Sequence, residues 1–223
     1  MISILYEDQY IIAVSKPAGV ISEVNPFEAV TMEGEVMAYL SLSSVKPFVG
    51  VIHRLDRVTS GVMLFAKKKS ALVAFNKLFE AKAIQKTYHA LIPKLPQAEE
   101  GELVNHLLKN QKEKRAEIIN APSKESKLAS LHYKCLQNLK PPYLIELKPK
   151  TGRFHQLRIQ LAHIGCTILG DEKYGSKEAY EGPGIALHAY SLAFSHPLLD
   201  TKKQQLFVAP YPDGKDWHAS IDI

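Results

Sequence analysis

Residues 53–61 read His53-Arg54-Leu55-Asp56-Arg57-Val58-Thr59-Ser60-Gly61, a single carboxylate between two arginines with a histidine just upstream. Flanking positive charge favours the ionised form of an acid, so Asp56 is expected to stay a carboxylate. An ionised aspartate can act as a nucleophile or as a base. The apolar run that follows, Val62-Met63-Leu64-Phe65-Ala66, is short enough for a buried strand, and Gly61 marks where a loop can turn into it. Asp56 then sits on a loop at a strand's mouth. The same residues also fit a solvated cluster of surface ion pairs, which contributes little to stability. Local chemistry leaves both readings open.

Two further stretches carry residues capable of chemistry. In Gln85-Lys86-Thr87-Tyr88-His89-Ala90-Leu91-Ile92 the alternation is that of a strand, and Tyr88 is either a core tyrosine with a satisfied hydroxyl or a functional one. In the run from Glu146 to Arg158, Thr151-Gly152 makes a turn, after which Phe154, Leu157, Leu161 and Ile164 recur at helical spacing and Gly165 is a natural stop. Arg158 lies one turn beyond Phe154 on that apolar face. A buried, unpaired charge is costly, and a carboxylate joined by two parallel hydrogen bonds is the obvious remedy. An exposed Arg158, or one paired with Glu146, fits as well.

These residues need a framework to position them. Residues 2–7 and 10–14 alternate like a hairpin around Asp8-Gln9, and Lys16-Pro17-Ala18-Gly19 breaks the second strand. Residues 33–42 fit a short helix, although 20–50 is otherwise illegible and receives no role. Ser70 is a candidate N-cap for a helix over 70–83 with Leu72, Phe75 and Phe79 on one face. Strands are expected at 128–137 and 142–148. Hairpin-linked strands with few helices between them argue against a doubly wound parallel sheet.

Composition narrows the classes. The chain has 223 residues, 46% hydrophobic and 23% charged, a formal charge of +5 and two cysteines, Cys135 and Cys166, without zinc-type spacing. Residues 101–160 hold twelve Lys or Arg against five acidic residues, the footprint of a phosphate-binding face. Lys112, Lys114 and Arg115 lie in this segment, which equally fits a solvated face at any single lysine. No run is long and apolar enough for a membrane helix and the N-terminus lacks a signal-peptide pattern, so the expectation is a soluble cytoplasmic protein. His155 and His163 have no third ligand at a supporting spacing, and no Gly-rich phosphate loop is present; no metal and no cofactor are expected.

In order, His-Arg-Leu-Asp-x-x-Thr-Ser-Gly resembles the catalytic loop of the RluA-type pseudouridine synthases, which isomerise uridine in RNA. "ILYEDQYIIAVSKPAGV", "QKTYHALI", "LKPKTGRFHQLR", "CTILGDEKYG" and "ALHAYSLAFSHP" are similar to further segments of the same family. The resemblance implies an α+β pseudouridine synthase fold, a mixed and mostly antiparallel sheet with flanking helices and a central RNA-binding cleft. It implies Asp56 as the catalytic aspartate, Tyr88 stacking on the target base, and Arg158 pairing with Asp56. Arg54 would fill the space left by a flipped-out uridine, and Leu187 would help wall the uracil pocket. Arg57, Lys86, Lys112, Lys114, Arg115, Lys150, Arg153 and His155 would contact RNA, with Arg153 and His155 alternatively structural. It covers Ile2 to about Pro210 without an S4-like extension, so 1–223 is expected to be one bare catalytic domain, a monomer acting on ribosomal or transfer RNA. A catalytically idle RNA binder and a carboxylate-dependent glycoside hydrolase are the rival readings. The first gains nothing from a carboxylate in its groove, and the second wants a second acid beside Asp56.

Overall fold

The computed structural model describes residues 2–137, 139–200 and 203–221. In chain order the elements are β1 (Ser3–Glu7), β2 (Ile11–Lys16), α1 (Met32–Ser41), β3 (Gly50–Val51), β4 (Ser60–Ala66), α2 (Lys69–Glu80), β5 (Gln85–Ile92), β6 (Glu100–Asn110), β7 (Arg115–Ile119), β8 (Lys127–Gln137), β9 (Tyr143–Pro149), α3 (Gln156–His163), β10 (Leu187–Ser195), β11 (Gln204–Val208) and α4 (Lys215–Ile221). The chain divides into two compact units, Met1–Lys86 with Ala189–Tyr211, and Thr87–His188 with Pro212–Ile223.

In the first unit the strands run in the order β1-β2-β4-β10-β11, with β3 paired to β4. The N-terminal hairpin forms as expected. Its turn is fixed by the Asp8 carboxylate, which accepts hydrogen bonds from the Tyr10 and Ile11 amides at 2.7 Å each. β2 and β4 are antiparallel, Ile11 opposite Ala66 and Lys16 opposite Gly61. Every residue of β4 is buried, which is why its sequence is a continuous apolar run instead of an alternating one. Ala71 and Phe75 of α2 pack on Val62 and Leu64 of β4, Leu192 and Phe194 of β10, and Phe207 of β11. The Phe75 and Phe194 rings meet edge to face at 5.2 Å, a favoured aromatic geometry. α1 begins at Met32, one residue before the expected start, capped by the Thr31 hydroxyl, which accepts from the Gly34 amide. The helix expected over 70–83 starts at Lys69 and ends at Glu80. Lys68, not Ser70, is therefore the N-cap, and it offers no side-chain bond.

In the second unit the order is β5-β9-β8-β6-β7, every ladder antiparallel. Residues 100–119, where the sequence shows no strand, fold into the β6–β7 hairpin. Most of β6 is partly exposed, so few apolar residues mark its period. α3 is tethered through buried glutamines. Gln156 Nε2 donates to the Ser130 carbonyl at 3.0 Å, and Gln160 Nε2 donates to the Leu103 carbonyl at 3.0 Å and to Asn105 Oδ1 at 2.7 Å. Gly165 follows α3 with φ +76°, the stop read from the sequence. Phe154 departs from expectation: it precedes the helix, and 37% of it is exposed. The chain leaves β9 through a turn, and His155, with φ 51° and ψ 24°, brings it into α3.

Gly61 joins the 53–59 loop to β4 with φ +118°, and a Cβ built there would lie 2.2 Å from the Ala189 carbonyl oxygen on the neighbouring strand. Backbone cannot yield as a flexible side chain does. Gly61→Ala is expected to destabilise the fold by about 3 kcal/mol or more, read as a lowered urea midpoint with an unchanged denaturant slope.

Candidate active site

In the first unit Asp56 is half-buried on an ordered loop. The Ser22 hydroxyl donates to the Leu55 carbonyl at 2.8 Å and accepts from the Leu55 amide at 3.1 Å, so a buried side chain clamps the residue before Asp56. After it, the Arg57 carbonyl accepts from the Gly19 amide at 2.7 Å, and the Thr59 amide donates to the Asp56 carbonyl at 3.0 Å. Lys16 completes the anchoring. It is fully buried, and its Nζ donates to the carbonyls of Pro17 at 2.8 Å, Val20 at 2.7 Å and Arg57 at 3.3 Å. Burial pulls its pKa down to about 7; the Asp56 charge works against that shift and Arg57 adds to it.

Both arginines beside Asp56 already have anionic partners. Arg54 Nη1 lies 2.8 Å from Glu23 Oε2, and Arg57 pairs with Glu28. Glu23 and Glu28 belong to the segment that received no role from sequence. His53 accepts a hydrogen bond at Nε2 from the Leu64 amide at 3.1 Å and stacks on Phe79 at 5.2 Å. Burial, with the nearby Lys86 charge, holds its pKa down at about 3. Lys86 Nζ lies 5.9 Å from the centre of the Phe79 ring, and burial lowers its pKa as well.

In the second unit Tyr88 is half-buried on β5, opposite Leu147 of β9. Next to it His89 is buried, and desolvation depresses its pKa to about 4. Arg158 is only 5% exposed, which removes the exposed alternative. A bidentate carboxylate partner is present, and it is Asp171: Nε to Oδ2 is 2.7 Å and Nη2 to Oδ1 is 2.6 Å. Glu146 pairs with Lys148 at 2.7 Å. Asp171 was missed in sequence because two adjacent acids, Asp171 and Glu172, follow Gly170 and nothing local shows which turns inward. Around the pair lie Tyr174, whose ring centre is 5.0 Å from the Arg158 guanidinium carbon, and His155, whose Nε2 is 3.2 Å from Arg158 Nη1.

The remaining basic candidates spread along this unit. Lys112 and Lys114 are exposed in the β6–β7 turn. Arg115 lies 3.8 Å from Glu113, and Lys150 pairs with Glu102 at 2.5 Å. Arg153 Nε donates to the Leu128 carbonyl at 3.0 Å, a structural contact. Leu187 opens β10 and is 3% exposed. Among the described residues no group of three or more His, Cys, Asp or Glu could hold a metal ion, and no helix is long and apolar enough to cross a membrane.

His53, His89 and His155 all have pKa values pulled far below the usual 6.5. Unfolded chain binds protons at these rings from about pH 6.5 downward while the folded chain does not. Their stabilising effect is therefore full above about pH 6.5 and is lost as pH falls toward 4 and then 3, by up to about 1.4 kcal/mol per pH unit per ring. Urea midpoints are expected to fall steadily over that window, and His53→Gln should make the fall shallower.

Comparison with known proteins fits this arrangement. Residues 10–163 match the family model described as RNA pseudouridylate synthase. The chain is 35% identical over 215 residues to tRNA pseudouridine synthase C of Vibrio vulnificus, covering 88% of this chain and 86% of that protein. It is 34% identical over 220 residues to ribosomal large subunit pseudouridine synthase C of Buchnera aphidicola, covering 93% of this chain and 67% of that one. In fold it is similar to human RNA pseudouridylate synthase domain containing 4, with a TM-score of 0.77 at 22% identity, over 94% of this chain and 88% of the human one. With the RluA-type motifs and the mostly antiparallel α+β fold, these matches establish that the chain belongs to the RNA pseudouridylate synthase family, isomerases that convert uridine in RNA to pseudouridine.

Proposed function

We propose that the chain acts as one catalytic domain on specific uridines of transfer or ribosomal RNA, with Asp56 as its catalytic carboxylate. The observation that carries this reading is the anchoring of the Asp56 loop: Ser22 holds the residue before it and Lys16 and Gly19 hold the residue after it. A merely solvated ion-pair cluster has no need of a fully buried lysine beneath it. Curated relatives named for tRNA and for the ribosomal large subunit make those two RNAs the substrates to try first.

The chemistry breaks the N1–C1′ bond of uridine, turns the freed uracil and forms a C5–C1′ bond; N1 gains a proton and C5 loses one. Product and substrate are isomers, so no electrons, phosphate or group from outside are consumed and the reaction calls for no cofactor or metal. Asp56 either attacks the sugar or uracil, or removes a sugar proton. Tyr88 stacks on the base and assists proton transfer, Arg158 keeps the carboxylate ionised and oriented, and Leu187 lines the uracil pocket. Arg54 enters the space the uridine leaves. Arg57, Lys86, Lys112, Lys114, Arg115 and Lys150 hold phosphates. The working form is a monomer in the cytoplasm.

Pseudouridine mapping of total RNA by carbodiimide modification and primer extension, with and without the gene, tests this. One or a few marks should disappear, return with the wild-type gene, and stay absent with Asp56→Asn, whose turnover on purified RNA should drop by at least about a thousandfold without loss of folding. Pseudouridine made by Asp56→Asn at the wild-type rate would remove the assignment.

A further inference from the structure

Phe154 was expected in the core and lies at the surface, yet it is not a loose surface ring. It stacks on the adjacent His155, ring centres 3.8 Å apart and planes 19° from parallel. The left-handed backbone at His155 accompanies this stacking of consecutive side chains, which extended or helical backbone would splay apart. His155 in turn is held at both nitrogens. A guanidinium can only donate, so its contact with Arg158 makes Nε2 an acceptor without a proton. The ring proton is then on Nδ1 and is donated to the Tyr174 hydroxyl at 2.9 Å, which also accepts from the Ala116 amide at 2.7 Å. His155 is thereby a neutral aromatic fixed in orientation, not a cation available to phosphate, and it gives Phe154 a rigid backing.

Phe154 is stacked on His155, and Lys109 Nζ also lies over its ring, 4.8 Å from the ring centre. The surroundings are cationic. Lys112 and Lys114 stand exposed at the hairpin turn, and Lys173 Nζ reaches the Lys114 carbonyl at 3.3 Å. A partly exposed aromatic ring stacked on a fixed histidine, with a flexible lysine over it and further lysines nearby, fits a nucleobase carrying its phosphate. Base–aromatic stacking tolerates any base, and a lysine displaced from the ring remains within reach of the backbone.

We propose that Phe154, backed by His155, is a stacking platform for an RNA base other than the reacting uridine, with Lys109 moving from the ring to that nucleotide's phosphate. The identity of the ligand as RNA rests on the proposed function. The other role open to Phe154, an apolar cover over the Arg158–Asp171 pair, would be served equally by leucine.

That difference sets the experiment. The full chain is titrated with a short single-stranded oligoribonucleotide bearing 2-aminopurine, whose fluorescence is quenched on stacking. Wild type and Phe154→Trp should bind and quench. Phe154→Leu should bind about tenfold more weakly and lose the quench, with thermal stability kept. Lys109→Gln should weaken binding and make the slope of log affinity against log salt shallower by about one. Wild-type affinity and quenching in Phe154→Leu, or no binding by wild type, would overturn the platform. If Phe154→Leu folds poorly, the decision passes to Phe154→Trp: its added tryptophan emission must be quenched by the RNA, and unchanged emission overturns the platform as well. Pseudouridine formation on total RNA separates this from the catalytic reading. A synthase whose Phe154→Leu form binds normally loses only the platform; a protein without synthase activity whose Phe154→Leu form loses binding keeps the platform and loses the catalytic assignment.

Discussion

An ammonium ion enclosed by protein is the constraint on which the first unit's loops depend. Lys16 ends β2, a strand buried almost throughout, and its side chain collects carbonyl oxygens from the turn that follows and from Arg57, forty-one residues onward. Carbonyls that point inward at a loop need donors, since an unmet buried acceptor costs as much as a lost hydrogen bond. One lysine meets three of them, so the 17–20 turn and the 53–59 loop are set by the same atom. The charge is costly to bury and Asp56 offsets part of that cost. The carboxylate and the lysine therefore support each other electrostatically while the lysine fixes the backbone of the residue that follows the carboxylate.

The second unit solves a related problem differently. Arg158 is buried on an eight-residue helix and would be strongly destabilising alone. Asp171 neutralises it with two parallel hydrogen bonds, Tyr174 packs against the guanidinium, and His155 accepts from its Nη1. The N-cap residue of α3 and two residues of the turn that follows it thus meet at one guanidinium, while Gln156 holds the chain between β9 and α3 through Thr151 and the Arg153 amide.

Much of this was legible in the residues. The continuous apolar run of β4 is a strong local signal caused by burial, the stop at Gly165 is one caused by its positive φ, and β1, β5, β8 and β9 form within one residue of the bounds read from sequence. The need of Arg158 for a carboxylate was also legible, because it follows from desolvation alone. What the sequence hid were features whose cause lies elsewhere in the chain. β6 and β7 are partly exposed and carry charges that mask their period. Phe154 falls at helical spacing but is placed by the left-handed turn at His155, which no neighbouring glycine announces. Glu23 and Glu28 sit in a stretch without periodicity, and only folding brings them to the arginines.

Those last two contacts alter what an incoming polyanion meets. Arg54 and Arg57 are already neutralised by carboxylates of their own chain, in pairs exposed enough to be weak. A phosphate that reached either arginine would exchange with a carboxylate instead of filling an empty site, and would release fewer small counterions than the count of arginines implies. On the proposed RNA-binding role of these arginines, the segment carrying Glu23 and Glu28 would be a built-in competitor: indiscriminate anions would gain little by displacing it, whereas an RNA held at many other points at once would.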